Sequence, residues 1–411
     1  MSAAVDAFRI EVDGFSPEAA VRRLLEHAAR LQASDLFLLA GANEMTISVR
    51  HLGVMRIIAT VSSDFGKHCK AHIQAMADMN LADHRKPHDG RWLFESNGQH
   101  IDLRISSLPT LHGEDLALRL LVRESVLLDL DNLGLRRKEY NQLIELLACP
   151  SGLILVTGPT GAGKTTTLYA CLHHLNNGVR KINTIEDPIE YTLDGIRQTR
   201  VDARLDLQFP ELLRAVLRQA PDVIMIGEIR DPMTAETAVR AANSGHLVLA
   251  TLHAPIGVGA VQSMLALGVL PHFLASSLRG VIAQRLVRTL CVHCRGSIEL
   301  GEVAPHTFDE VKDLLGSGEG QCLYVARGCV RCQATGYVAR TGVFEVLPIS
   351  PAMRRLIMER QPTPVLRTQA LEEGAVDIRQ AAMLRVARGE TTTEEVLRVI
   401  PPEYLGLDDG Q

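Results

Sequence analysis

The most constraining feature of the sequence is a glycine-rich turn at residues 158–165, Gly-Pro-Thr-Gly-Ala-Gly-Lys-Thr. The turn matches the pattern G-x-x-x-x-G-K-[ST] in full, an apolar run precedes it at 153–157, and the helix-forming segment TTTLYACLHHL follows it. In this context glycines let backbone N–H groups approach phosphate oxygens at the positive end of the helix dipole. The pattern therefore predicts a nucleotide-binding α/β domain, against the weaker alternative of a chance glycine-rich turn.

The residues of the turn have predicted parts in binding ATP. We expect the Lys164 ammonium to reach the β- and γ-phosphates and the Thr165 hydroxyl to hold Mg²⁺. The predicted nucleotide-binding residues are Gly158, Pro159, Thr160, Gly161, Ala162, Gly163, Lys164, Thr165 and Thr166.

Apolar strands and helices alternate from residue 151 onward. Strands are predicted at 153–157, 181–185, 222–227 and 246–252, with helices at 164–175, 210–219, 232–243 and 258–267. Buried strands separated by helices predict a largely parallel sheet covered on both faces.

Shifts in pattern along the chain predict its domain organisation. A helix followed by short strand-like runs indicates a smaller α+β domain at the start, whereas the end looks wholly helical, with Thr391 and Glu394 as a capping box. The predicted parts are an α+β, PAS-like domain at 1–125, a linker at 126–136, the nucleotide-binding domain at 137–350 with a cysteine-containing insertion at 288–335, and a helical region at 351–411.

Acidic side chains follow two of the predicted strands. Glu228 ends the strand in DVIMIGEIRD, and Glu186, Asp187 and Glu190 follow another strand in IEDPIEY. The carboxyl ends of parallel strands meet at one edge of a sheet, where ligands bind. A carboxylate there can coordinate Mg²⁺ or orient the attacking water, and the alternative is a solvated acidic loop.

Two histidines bracket the strand HLVLATL. His246 and His253 are seven residues apart, so strand alternation places them on opposite faces. Both cannot reach one ligand from a straight strand, and at least one must act from the strand end. A structural histidine is the alternative for either of them.

Four cysteines form two C-x-x-C pairs, Cys291 with Cys294 and Cys329 with Cys332. Four thiolates in two close pairs can surround Zn²⁺ as a closed, structural tetrahedral site. A redox dithiol and buried unpaired thiols are the alternatives, and His293 could replace one sulfur. Eight cysteines in 411 residues are too few for a disulfide scaffold and fit a reducing cytosol.

Charge and composition exclude several function classes. The formal charge is −5, and there are only one Trp, six Tyr and nine Phe, so a protein built mainly to grip nucleic acid is disfavoured. The first 14 residues have no basic or apolar run, so no secretory signal is expected. Residues 241–278 lack Asp, Glu, Lys and Arg, but Gly, Pro and His interrupt the run, so we expect a soluble chain without a spanning helix.

The ordered motifs make the chain resemble the type II secretion and type IV pilus assembly ATPases. Four segments carry the resemblance: GPTGAGKTTTLY, IEDPIEY, LLRAVLRQAPDVIMIGEIRD and SGHLVLATLH. In that family these are the Walker A motif, the Asp box, an atypical Walker B motif and the His box. Flanking blocks, among them IAQRLVRTLC and GYVARTGVFEVLPIS, extend the match to roughly residues 20–400. The resemblance implies a RecA-like P-loop ATPase domain.

The resemblance also implies roles for single residues. Glu228 corresponds to the Walker B carboxylate, Glu190 to the general base that positions water, and Lys164 to the phosphate-binding lysine. His246 and His253 correspond to sensors of the γ-phosphate.

Two arginines of the first domain fall where the family places arginines that reach the nucleotide. They are Arg104 in DLRIS and Arg119 in LALRLL. Without the resemblance, either would be read as a partner in a surface ion pair.

The resemblance further implies the setting in which such a chain works. Members form homo-oligomeric rings of six subunits at the cytoplasmic face of the inner membrane. They associate with the membrane peripherally, through a platform protein, and no nucleic acid is expected as a partner. A pilus-retraction motor and a non-hydrolysing, nucleotide-dependent ring scaffold stay open as alternatives, and a DNA-translocating motor is less favoured by the acidic balance. The cysteine insertion favours an assembly motor, because retraction ATPases of the family generally lack it.

The sequence departs from the family at a few positions. Residues 33–40 read ASDLFLLA where the family has ASDIHIEP, Ala220 stands where Asp is common, and the His box ends in LHAP rather than LHTN. We also expect no additional docking domain ahead of residue 20. These departures bear on coupling between subunits rather than on phosphate binding.

Overall fold

The computed structural model describes residues 8–96, 98–122, 129–202, 205, 207–300 and 306–405. Contacts divide the chain into two compact units, Met1–Val126 with Arg327–Gly336, and Leu127–Ala326 with Tyr337–Gln411. Parts of every predicted domain lie outside the described residues: 1–7, 97 and 123–125 of the first, 126–128 of the linker, 203–204, 206 and 301–305 of the nucleotide-binding domain, and 406–411 of the helical region. The predicted domain boundaries stay predictions.

The first unit is built on a six-stranded antiparallel sheet. Its elements are α1 (Pro17–Arg30), β1 (Asp35–Ala40), β2 (Glu44–His51), β3 (Val54–Ser62), α2 (Ser63–Met76), β4 (His88–Ser96), β5 (Gln99–Thr110) and β6 (Gly113–Val122). The strand order is β3-β2-β1-β6-β5-β4, and every neighbouring pair is antiparallel. Helix α1 begins where the Ser16 hydroxyl accepts a hydrogen bond from the Ala19 N–H and Pro17 takes the first helical position. The predicted α+β character is confirmed.

The second unit contains nine strands and eleven α-helices among its described residues. The strands are β7 (Gly152–Thr157), β8 (Ile182–Glu186), β9 (Arg197–Arg200), β10 (Val223–Ile226), β11 (Leu247–Leu252), β12 (Leu278–Leu290), β13 (Gly296–Glu299), β14 (Cys322–Val325) and β15 (Tyr337–Pro348). The helices are α3 (Arg137–Ala148), α4 (Lys164–Leu175), α5 (Phe209–Leu217), α6 (Pro232–Asn243), α7 (Gly257–Ala266), α8 (Pro271–Ser277), α9 (Pro351–Met358), α10 (Thr363–Glu372), α11 (Ile378–Ala387), α12 (Thr393–Val399) and α13 (Pro402–Leu405).

Seven of these strands form one sheet in the order β15-β12-β7-β11-β10-β8-β9. All of its neighbouring pairs are parallel except β12 with β15. Every residue of β7, β10 and β11 is buried, as expected for central strands covered on both faces. Alternate residues of β7 serve two cores: Leu153 and Leu155 pack with α5 to α8, and Ile154 and Val156 pack with α3 and α4. The predicted largely parallel sheet is confirmed.

The last helices differ from the prediction in one detail. The residue before α12 is Thr392, not Thr391, and its hydroxyl accepts a hydrogen bond from the Glu395 N–H at 3.1 Å. The buried Glu395 carboxylate instead binds Arg288 of β12 and Arg398 of α12. Thr391 donates its hydroxyl to the Arg288 carbonyl at 2.8 Å. The predicted capping box is therefore wrong: Thr392 caps the helix, and the Glu395 carboxylate pairs with two arginines instead of accepting from the Thr392 N–H.

Among the helices that the structure describes, none combines the length and apolar character needed to cross a membrane.

Candidate functional site

The glycine-rich turn connects the end of β7 to the start of α4 through backbone conformations that favour glycine. Gly158, Gly161 and Gly163 have φ angles of 147°, 76° and 86°. A Cβ on Gly158 would lie 2.5 Å from the carbonyl oxygen of Gln284. No side chain in the described part of the chain caps the N-terminus of α4, so its first N–H groups are left for a ligand.

Strand β12 supports this turn from a distant part of the sequence. The buried Gln284 side chain donates from Nε2 to the Ala162 carbonyl at 2.7 Å. Its neighbour Arg285, also buried, donates to the Pro255 carbonyl at 2.7 Å, next to the loop that carries His253. Sequence reasoning gave neither residue a role, although both lie in the quoted segment IAQRLVRTLC.

Lys164 folds back onto the turn. Its Nζ donates to the Gly158 carbonyl at 2.7 Å and to the Pro159 carbonyl at 3.1 Å, and lies 3.3 Å from His253 Nδ1. Burial, helped by the charge of Arg285 and opposed by that of Glu228, lowers the pKa of Lys164 to about 8. The lysine is thus a partly desolvated cation that an anion would stabilise. Thr165 and Thr166 lie in the first turn of α4 beside it, and Thr165 is exposed.

Glu228 joins Lys164 and His253 in one cluster. The first carboxylate oxygen of Glu228 lies 2.7 Å from His253 Nε2, and the second lies 2.5 Å from an Arg230 nitrogen. Burial would raise the pKa of Glu228, but the hydrogen bond from Arg230 and the charges of Arg230, His253 and Lys164 together lower it. Three of the predicted site residues therefore meet beside the glycine-rich turn, and Arg230 is a fourth member that sequence reasoning missed.

His246 lies at the other end of β11. It precedes the strand, whereas His253 follows it, and six strand residues span about 20 Å. The His246 ring Nδ1 lies 3.0 Å from the Ala241 carbonyl and 3.2 Å from the Ser244 hydroxyl. The structure does not bring His246 to Lys164, and its contacts are those of a structural histidine at the end of α6.

The end of β8 and the segment after it carry the other predicted carboxylates. Glu186 is buried and accepts hydrogen bonds from Thr184 Oγ1 at 2.5 Å, from Gln198 Nε2 at 3.0 Å and from the Tyr169 hydroxyl. Glu190, four residues on, is half-buried. Because β8, β10, β11 and β7 are parallel neighbours, the segments after them emerge at the same edge of the sheet.

Arg104 and Arg119 lie side by side on the exposed face of the first unit's sheet. They are direct cross-strand neighbours on β5 and β6. The same row continues to Arg91 on β4 and to Asp35 on β1. Arg119 lies 3.6 Å from Asp35 Oδ1, and Arg91 binds both carboxylate oxygens of Asp102. The structure thus forms a row of three arginines on this unit, and their predicted roles stay predictions.

The four predicted cysteines come together. Their sulfur atoms all lie within 4.8 Å of one another, and those of Cys329 and Cys332 are 3.8 Å apart. Zn–S bonds of about 2.3 Å in a tetrahedron place sulfurs about 3.8 Å apart. Cys291 and Cys332 are buried, whereas Cys294 and Cys329 are half-buried, and none forms a disulfide. The donor set and its spacing fit a structural zinc ion.

Comparison with known proteins relates the chain to secretion proteins. The profile of the family described as type II/IV secretion system protein matches residues 12–398. Type II secretion system protein E of Dickeya dadantii is 42% identical over 383 residues, which cover 93% of this chain and 75% of that protein. Type II secretion system ATPase E of Vibrio cholerae is 40% identical over 379 residues, covering 92% and 74%.

Solved structures show the same fold. The pilus retraction motor PilT with bound ADP matches with a TM-score of 0.61 and 26% identity over 93% of this chain and 98% of its own. The ATPase DotB of Legionella pneumophila matches with a TM-score of 0.70 and 22% identity, covering 96% and 98%. The second likeness concerns the fold alone.

Proposed function

The chain belongs to the type II/IV secretion system protein family, and we propose that it is an ATP-hydrolysing motor that powers pseudopilus or pilus assembly in type II secretion or type IV pilus biogenesis. One observation carries the proposal: Lys164, Glu228 and His253 meet beside a turn built to bind phosphates. The relative described as type II secretion system ATPase E supports ATPase activity in a secretion system, and the likeness to PilT with bound ADP supports the nucleotide.

The geometry supports separate roles in phosphate binding, water orientation and Mg²⁺ binding for the residues of the turn and its neighbours. The N-terminal N–H groups of α4 and the Lys164 ammonium bind the phosphates, for which Lys164 must leave the carbonyls of Gly158 and Pro159. Glu228 or Glu190 orients the attacking water. The Thr165 hydroxyl and a Glu228 oxygen are hard donors of the kind Mg²⁺ prefers, and this ion would neutralise phosphate charge.

His253 is suited to sense the γ-phosphate. It bridges the Glu228 carboxylate and the Lys164 ammonium, so any anion that draws Lys164 away also changes the surroundings of His253. His246 has no comparable contact with Lys164 or Glu228 among the described residues. We therefore assign the sensor role to His253 and leave His246 in the structural role.

We propose that the motor works as a homo-oligomeric ring of six chains at the cytoplasmic face of the inner membrane. A platform protein in that membrane would hold it there, as the relatives' membership of secretion machines suggests. The arginine row of the first unit, with Arg104 at its centre, would complete the nucleotide site of a neighbouring subunit. A guanidinium fits the charge spread over the equatorial phosphoryl oxygens.

Steady-state hydrolysis tests the proposal. The purified chain is incubated with ATP and Mg²⁺, and release of inorganic phosphate is measured against a reaction without Mg²⁺. Turnover above that background is expected, whereas a non-hydrolysing ring scaffold predicts nucleotide binding without turnover. A retraction motor, suggested by the likeness to PilT, also predicts turnover, and the cysteine cluster distinguishes it from an assembly motor.

The low pKa of Lys164 predicts how nucleotide affinity depends on pH. The pKa of Lys164 is about 8, and bound phosphates would raise it by stabilising the ammonium. Binding then takes up a proton above about pH 8, so the Kd for ADP should rise roughly tenfold between about pH 7 and about pH 9. Calorimetric titrations at both pH values measure this. A Lys164→Arg variant, charged throughout, should show no such rise, and a flat wild-type profile would contradict the assignment.

The cysteine cluster predicts bound zinc. Metal analysis of protein purified without chelators should give about one zinc per chain, because four converging thiolates make a closed site. Cys332→Ser should lose the zinc and lower the melting temperature, since metal binding contributes folding free energy. Cys149→Ser, outside the cluster, is the matched control and should keep the metal. A wild-type chain without zinc would argue for the retraction motor.

A further inference from the structure

A buried tyrosine connects the phosphate-binding helix to the segment that carries Glu190. Tyr169 lies on α4, five residues after Lys164, and its side chain is fully buried. Its hydroxyl donates to one carboxylate oxygen of Glu186 and accepts a hydrogen bond from the Glu190 N–H at 3.4 Å. None of the roles proposed above uses this hydroxyl.

The carboxylate that Tyr169 contacts is held by neutral groups. Glu186 ends β8 and is only 3% exposed. Its hydrogen-bond donors in the described structure are the Thr184 and Tyr169 hydroxyls and the Gln198 amide, which come from β8, α4 and β9. Removing any one of these donors would take a hydrogen bond from a buried Glu186 oxygen, which costs free energy because the oxygen stays desolvated. The three donors therefore hold Glu186, and through it one another, in place.

The same network extends along the segment after β8. The Gln198 amide also donates to the Tyr191 carbonyl at 3.2 Å, and its oxygen accepts from the Leu193 N–H at 2.7 Å. The Tyr191 ring packs edge-on against Tyr169, with ring centroids 4.6 Å apart. Residues 190–193 are therefore attached to α4 through Tyr169 and to β9 through Gln198.

We infer that Tyr169 is a positioning residue for Glu190, because its hydroxyl fixes the Glu190 backbone relative to the helix that begins at Lys164. The inference rests on the proposed ATP hydrolysis. Burial and the neighbouring Glu186 raise the pKa of Tyr169, so the hydroxyl stays a donor at any working pH. If α4 shifts, a Glu190 that is attached to α4 shifts with it and keeps its distance from the phosphates. General-base catalysis requires this constant distance, because it depends on the position of the base.

A single-atom change tests this role. Tyr169→Phe should lower kcat for ATP by about 10- to 100-fold, because small misplacements of a catalytic group are costly, and should change the Kd for ADP less than about threefold. Tyr191→Phe is the matched control. No hydrogen bond of its hydroxyl is seen within the described residues, so kcat should stay within about twofold of the wild type.

A double-mutant cycle separates positioning from general loosening of the fold. Glu190→Gln should lower kcat strongly, and adding Tyr169→Phe to it should lower kcat no further, since the hydroxyl then has no base to position. If Tyr169→Phe folds poorly, Gln198→Met removes another link to the same segment and should give the same loss in kcat alone. Additive losses, parallel losses in affinity, or a Tyr169→Phe variant equal to Tyr191→Phe would overturn the inference. A wild-type chain without turnover would instead count against the proposed function.

Discussion

Replacing Lys164 by alanine is expected to lower ATP turnover of the purified chain on the order of a thousand-fold, as loss of a group that stabilises transition-state charge does elsewhere. The lysine Nζ donates to the carbonyls of Gly158 and Pro159, in a turn where a Cβ on Gly158 would clash with the Gln284 carbonyl oxygen. No other lysine lies in this cluster among the described residues, and the cation Arg230 is paired with Glu228. Nucleotide affinity should fall as well, because in the proposed site the ammonium would contact the phosphates before and during the reaction.

Lys138 offers a matched control for this variant. It lies on α3 of the same unit and, like Lys164, donates from Nζ to a backbone carbonyl, that of Gly374, at 2.7 Å. Lys138→Ala removes the same charge and a similar hydrogen bond far in sequence from the glycine-rich turn, and its turnover should match that of the wild type. Unchanged turnover in Lys164→Ala, measured by phosphate release, would refute the assignment of the nucleotide site.

Local sequence patterns predicted the elements that carry the phosphate site. Helix α4 begins and ends at the predicted residues 164 and 175, because glycine ends the turn and an apolar helical pattern follows it. The strands predicted at 153–157, 181–185, 222–227 and 246–252 differ from β7, β8, β10 and β11 by at most one residue at each end. Fully apolar runs between turn residues are the strongest signal for buried parallel strands.

Strands β12 and β15 could not be assigned in the same way. They contain the buried polar residues Gln284, Arg285 and Glu345, which break any apolar pattern. Their burial is decided by partners far away in the chain: Gln284 binds the Ala162 carbonyl, 122 residues earlier, and Glu345 accepts from the Gly257 N–H, 88 residues earlier. Burial raises the pKa of Glu345 to about 7, which shows how far its environment departs from that of an ordinary strand.

The candidate site shows the same limit at the level of side chains. Spacing indicated that His246 and His253 cannot both reach one ligand from a straight strand, whereas the resemblance assigned both to the γ-phosphate; the two histidines flank opposite ends of β11. Chain order places His253 after the carboxyl end of β11, the edge at which the glycine-rich turn follows β7, and His246 before its amino end. The Tyr169 contact with Glu186 was hidden, because a tyrosine inside an apolar helical pattern is read as core.

Arg104→Ala is the second variant with a large expected effect: kcat should fall on the order of a hundred- to a thousand-fold, while the Kd for ADP changes less than about threefold. The reason is that a guanidinium adds most where charge spreads over the phosphoryl oxygens in the transition state. Arg50→Ala is the matched control, since Arg50 lies on β2 opposite Asp35, at the far end of the same cross-strand row. Its kcat should be unaffected, and equal losses of kcat and affinity in Arg104→Ala would argue against a transition-state role.

Mixing two inactive variants then shows whether Arg104 acts on its own chain or on a neighbour. Lys164→Ala chains keep Arg104, and Arg104→Ala chains keep the phosphate-binding turn, so a ring that contains both has sites with an intact turn next to an intact arginine. Phosphate release should therefore recover to a measurable fraction of wild-type turnover when the two are assembled together, although each is nearly inactive alone. If Arg104 acted within its own chain, no mixture would contain a complete site, and turnover would stay at the level of the separate variants. Recovery that grows with the share of Lys164→Ala chains up to an intermediate ratio and then declines is the outcome that a shared site requires.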